Sequence, residues 1–116
     1  MQTTGIDHVN LAFPADRLHD VIDFYVDTLG FTTDFDDPHT AVADDPGLFS
    51  IDLGGTYQLF VNPSEDFDPE VTNYRHMALR IPQSPDAIEA LLNDNDVNID
   101  STADRESDAL GAYTSY

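Results

Sequence analysis

The 116-residue chain contains no cysteine and no lysine. Without cysteine there is no disulfide framework and no thiolate metal site, so any metal must be held by imidazole, carboxylate, amide or water. The positive charge consists of four arginines against 23 acidic residues, a formal charge of −19. Such a surface excludes nucleic acid and anionic membrane as natural partners. No apolar run approaches bilayer length, and the opening Met1-Gln2-Thr3-Thr4-Gly5 lacks the basic and apolar regions of a signal peptide. A cytoplasmic protein is expected. The chain is also too short for two independent domains, so 1–116 is read as one domain.

What is abundant is aspartate, scattered along the whole chain, as at Asp34, Asp36, Asp37, Asp44, Asp45, Asp94, Asp96, Asp100, Asp104 and Asp108. These charges repel one another unless salt screens them. At about 1 M salt the Debye length falls to roughly 3 Å, which points to a salt-rich cytosol. Disorder is the competing reading of so acidic a chain, but it requires few apolar residues. Here the apolar fraction is 41% and periodic.

The most informative feature is a repeat. Ile6-Asp7-His8-Val9-Asn10-Leu11-Ala12-Phe13-Pro14 returns as Tyr74-Arg75-His76-Met77-Ala78-Leu79-Arg80-Ile81-Pro82, with His, Leu and Pro at one constant displacement. Both segments alternate, so Val9, Leu11 and Phe13 point one way and His8 and Asn10 the other, as do His76 and Arg80 in the second copy. Two matched strands with a mid-strand histidine on the polar face suggest a duplicated module with a site between its copies.

Module one spans 5–62. After its first strand, Leu18, Val21, Ile22, Tyr25, Val26 and Leu29 recur at helical spacing before Gly30 provides a stop. Phe31 to Phe35 reads as a strand, and the Asp-, Pro- and Thr-rich stretch through His39 to Gly47 as a loop. Leu48 to Leu53 and Tyr57 to Asn62 alternate around a Gly54-Gly55 turn as two further strands. Residues 63–73, proline-rich and acidic, read as a linker. Module two, 74–116, opens with its own strand and continues into a helix capped by Ser84-Pro85-Asp86. Val97 to Ile99 is a short strand candidate, Ser101 to Leu110 a polar loop, and Gly111 to Tyr116 a strand. A counterpart of Tyr57 to Asn62 is missing, leaving module two incomplete.

A repeated βαβββ module with a histidine in each opening strand resembles the vicinal oxygen chelate superfamily of glyoxalase I, extradiol dioxygenases, and fosfomycin and bleomycin resistance proteins. The resemblance rests on Gly5-Ile6-Asp7-His8-Val9-Asn10-Leu11, Phe24-Tyr25-Val26-Asp27-Thr28-Leu29-Gly30-Phe31 and Arg75-His76-Met77-Ala78-Leu79, and it covers nearly the whole chain. It implies an α+β fold of two βαβββ modules forming an open curved sheet around a divalent metal, here with the last strand absent. It also implies His8 and His76 as metal ligands. Gln58 falls where glyoxalase I enzymes carry a ligand glutamate, and the usual final glutamate, in the last strand, has no counterpart. The cation, whether Zn, Fe, Mn, Ni or Mg, is not specified, and no organic cofactor is implied.

Two histidines without a carboxylate make a weak divalent site, whereas a third, acidic ligand would give the facial arrangement of non-haem iron centres. Three readings follow: a longer natural chain, a partner subunit that supplies the missing strand, or a metal-free binding module. The open edge left by that strand would template pairing, so a homodimer, strand-exchanged, is expected. Gln58, Asn10 and Asn62 are candidate pocket hydrogen bonders. Phe60, and Tyr113 if its strand forms, are candidate pocket walls, although aromatic residues at such positions are more often simply core. Arg80 would suit a substrate carboxylate or phosphonate, or simply pair with one of the many aspartates. His19 and His39 read as surface groups. The expected function is binding of a small oxygen-rich molecule, at a metal in a lyase, isomerase, dioxygenase or transferase, or without metal or turnover as in bleomycin-binding proteins. A glyoxalase I reaction is disfavoured, because Gln58 cannot act as a base near neutral pH.

Overall fold

A computed structural model describes residues 1–2, 5–71, 77–107 and 111–116. The chain divides into two compact units, Met1–His76 and Met77–Tyr116.

The first unit packs helices against one face of a four-stranded sheet in the order β1-β4-β3-β2. The strands are β1 (His8–Pro14), β2 (Thr32–Thr33), β3 (Phe49–Gly54) and β4 (Tyr57–Ser64). β1 runs parallel to β4, which pairs antiparallel with β3. The alternation read from sequence is the reason for the layering. Ile51, Leu59 and Val61 are fully buried, as is Ile22 from the covering helix, and Phe49, Leu18, Val21 and Val42 complete this core. Burying each such side chain is worth about 1.5–3 kcal/mol.

The covering helix is less regular than its spacing predicts. After a 3₁₀ turn (Ala15–Arg17), α1 (Leu18–Ile22) gives way to a π-helical segment, Asp23–Thr28. Its wider winding shows in the Leu29 N–H donating to the Phe24 carbonyl at 3.0 Å, five residues back. Thr28 is buried and its hydroxyl donates to the Asp23 carbonyl at 2.9 Å. Gly30, at φ 76°, then turns the chain in the left-handed conformation that a Cβ would penalise.

Three further expectations in and around this unit are corrected. The stretch read as a loop from His39 contains α2 (Pro38–Ala43), because Asp37 caps it, accepting from the Thr40 N–H at 3.3 Å and the Thr40 hydroxyl at 2.7 Å, with Pro38 in the first turn. The strand expected over Phe31 to Phe35 shrinks to Thr32–Thr33. β4 continues through Pro63 and Ser64, two residues into the expected linker.

In the second unit, α3 (Pro85–Asp94) forms as expected, with the Ser84 hydroxyl accepting from the Ala87 N–H at 3.3 Å. Val97 to Ile99 is not a strand. The expected polar loop instead contributes β5 (Ala103–Ser107), which pairs antiparallel with β6 (Gly111–Ser115) as a two-stranded sheet. Short polar runs such as Ala-Asp-Arg-Glu-Ser carry almost no strand signal of their own and are specified by cross-strand partners. Residues 77–82 carry no strand, and residues 72–76 of the expected opening strand lie outside the described residues. No described helix is long and apolar enough to cross a membrane.

Candidate functional site

The parallel register of β1 and β4 decides which side chains share the face turned away from the core. His8 pairs with Gln58, Asn10 with Phe60, and Ala12 with Asn62, and paired residues in adjacent strands project to the same side. On the next strand, Ser50 lies opposite Phe60, and Asp52 opposite Gln58. With Leu59 and Val61 committed to the core, this outer face is polar, with a single aromatic residue among the side chains named.

That aromatic organises the site. The Phe60 and His8 rings stack with centroids 4.4 Å apart and planes 14° from parallel. The Asp7 carboxylate lies 2.7 Å from His8 Nδ1. The contact assigns the proton to Nδ1 and leaves Nε2 as the ring's acceptor in the neutral state. Next to this stack, a shallow pocket of about 310 Å³ opens between Ser50 and Phe60 on the sheet and Asp34, Phe35, Pro46 and Leu48 from the connections.

Of the residues expected at the site, the first unit therefore collects His8, Asn10, Gln58, Phe60 and Asn62 on one face. Arg80 and Tyr113 belong to the second unit. Arg80 is exposed and engaged in an interaction of its own, and Tyr113 is an exposed residue of β6 opposite Arg105. His76, the expected second ligand, lies outside the described residues.

A second constellation was not expected. His39 on α2 places Nε2 2.8 Å from Asp27 Oδ2 and 3.5 Å from Asp23 Oδ1, both on the π-helical segment. Its Nδ1 lies 3.3 Å from Nδ1 of His19, and the two imidazoles are nearly parallel at 5.6 Å. The bond to Asp27, reinforced by the charges of Asp27, Asp23 and Asp37, holds the His39 imidazolium above its ordinary pKa range despite slight desolvation. Asp23, Asp27 and His39 form a group whose ligand atoms all lie within 4.8 Å of one another. Among the described residues it is the group of three or more such side chains able to hold a metal. The sequence signal that was available is the spacing of His19, Asp23 and Asp27 four apart on one helix face. Reading His39 as part of a loop hid its contribution.

No protein-family model matches the chain, and no curated protein matches it. Among solved structures, the chain is similar to a glyoxalase family protein from Enterococcus faecalis, with a TM-score of 0.50 at 22% identity over 93% of this chain and 83% of that one. It is also similar to SMU.1112c, with a TM-score of 0.49 at 18% identity, covering 97% and 91% respectively. At 22% identity the first likeness speaks for the fold alone: the chain has a mixed α+β fold like that of the glyoxalase family protein.

Proposed function

We propose that the outer sheet face of the first unit binds a small oxygen-rich molecule, with His8 Nε2, Asn10 and Gln58 as hydrogen-bonding groups and Phe60 as the apolar floor. The observation that carries this reading is the His8–Phe60 stack, with Asp7 fixing the ring from one side and polar side chains in register around it. A face that served only to support the core would have no need of this arrangement. Ligand sites combine an apolar surface with a few convergent polar groups in this way. Asp7 and Asp52 flank the face, and the chain carries a large negative charge, so a neutral ligand is preferred over an anion.

One observation favours a second reading, in which His8 is a metal ligand. Ligating histidines characteristically donate their other ring N–H to a carboxylate, as His8 does to Asp7. Among the described residues, however, no group of three His, Asp or Glu able to hold a cation includes His8. The described donors therefore do not by themselves make a metal centre at this face. Such a centre would need His76.

The test is an NMR titration in molar salt with catechol, a neutral molecule with two adjacent oxygens, and with phenol as its one-oxygen control. Amide shifts centred on His8, Asn10, Gln58 and Phe60, stronger for catechol and lost in His8→Ala and Phe60→Ala, are the expected result. Shifts that are absent, or that survive both substitutions, overturn the reading. Metal content of His8→Ala and His76→Ala protein, purified without chelator or histidine tag, decides the second reading. Divalent metal content per chain that is the same in both variants as in the parent sinks it.

A further inference from the structure

The cluster between the first helix and α2 lies away from the sheet face and has no part in the function proposed above. Its geometry carries a separate conclusion. α winding carries residue i+4 about 40° past a full turn. The wider π turn brings i+4 back short of one. His19 to Asp23 is covered largely by α winding and Asp23 to Asp27 by π winding, so the two offsets oppose each other and the three side chains line up along the helix. α2, held by its Asp37 cap, sets His39 over that line.

We propose that Asp23, Asp27 and His39 bind one borderline divalent cation of the zinc or cobalt kind, with His19 as the positioning residue that fixes the His39 ring. The donor set is two carboxylate oxygens and one imidazole nitrogen from two elements, with the remaining positions left to water. Imidazole selects against magnesium and calcium, and the carboxylates suit zinc and its neighbours. The spacing fits. Ligands bonded to zinc at about 2.0 Å in a tetrahedron stand about 3.3 Å apart, and His39 Nε2 stands 2.8 and 3.5 Å from the two carboxylate oxygens.

The second ring nitrogen supports the same assignment. If Nε2 of His39 binds the cation, its proton resides on Nδ1, which faces His19 Nδ1 at 3.3 Å. A neutral His19 with its proton on Nε2 accepts there, completing the outer hydrogen bond that ligating histidines characteristically make. The cation would also relieve the repulsion between Asp23 and Asp27 that His39 now offsets.

The experiment is calorimetric titration of chelator-treated full-length protein with Zn²⁺ in 1 M NaCl, where diffuse attraction of cations to an acidic surface is screened away. One equivalent should bind. Affinity should fall at least tenfold in Asp23→Asn, Asp27→Asn and His39→Ala, and roughly tenfold in His19→Ala. Asp100→Asn, at a carboxylate outside the cluster and outside the sheet face, should bind as the parent does. Co²⁺ should give a visible absorption band in the parent that is lost in Asp27→Asn, an isosteric change checked for folding by circular dichroism. Absence of saturable Zn²⁺ binding in molar salt overturns the proposal and leaves the cluster a structural ion pair. So does binding that is lost in His8→Ala and kept in Asp27→Asn.

Discussion

The two compact units hold themselves together differently. Of the buried apolar side chains among the described residues, Leu18, Val21, Ile22, Val42, Phe49, Ile51, Leu59 and Val61 all belong to the first unit, and Leu92 alone to the second. In the first unit a helix covers a four-stranded sheet, so each inward residue meets partners from both layers. In the second, β5 and β6 are a two-stranded ribbon whose middle positions are exposed. Isolated two-stranded ribbons are marginal in water. A repeat in sequence thus does not carry with it an equal amount of core.

The largest consequence is dynamic. Amides of β3 and β4 should exchange with solvent only through global unfolding, while those of β5 and β6 exchange through local opening at least a hundredfold faster. Hydrogen exchange followed by NMR in molar salt measures both. Equal protection would break the contrast, and would mean that the ribbon is covered by another surface, such as a second copy of the chain. Next in size is the response to lost core volume. Leu59→Ala should cost about 2–5 kcal/mol, and Leu92→Ala less than half of whatever Leu59→Ala costs, because neighbours that are partly exposed can relax into the gap. Urea unfolding resolves the difference through the midpoints at constant slope.

How far the sequence disclosed this arrangement depends on how much of each signal was local. Periodicity located β1, β3, β4 and α3 and assigned the faces of His8, Asn10, Gln58, Phe60 and Asn62, because a buried layer enforces alternation. The resemblance to glyoxalase-fold proteins rested on other local motifs: the start of β1, the stretch from Phe24 to Phe31, and Arg75-His76-Met77-Ala78-Leu79. α2 was missed although Asp37-Pro38 is a start signal, since six residues of Pro-His-Thr-Ala-Val-Ala have little apolar periodicity to follow it. The change from α to π winding at Asp23 was illegible, because i, i+4 spacing fits both. β5 was illegible for the opposite reason: its residues are polar and its strand character comes from the partner strand. The Asp23, Asp27 and His39 cluster combines both omissions, one helix hidden and one helix misjudged in pitch.

The smallest effects concern the helix caps, one in each unit. Ser84→Ala should cost about 1 kcal/mol by unbonding the Ala87 N–H. The Ser84 hydroxyl does not titrate, so that cost should be the same from pH 7 to pH 3. The cap of α2 is a carboxylate. Bonds from the Thr40 hydroxyl and N–H, aided by the charge on His39, hold the Asp37 carboxyl below its ordinary pKa. A group depressed in the folded state contributes stability that is complete above its unfolded pKa, about 3.9, and is lost as pH falls through the lower folded value. Asp37→Ala should therefore lower the melting temperature relative to the parent near neutral pH, with the difference narrowing once the pH drops below about 4. Comparing each variant with the parent at the same pH cancels the titration of the other carboxylates. A pH-independent Asp37→Ala difference would show that the loss comes from helix propensity or packing, and that α2 is held over Asp23 and Asp27 by something other than its charged cap.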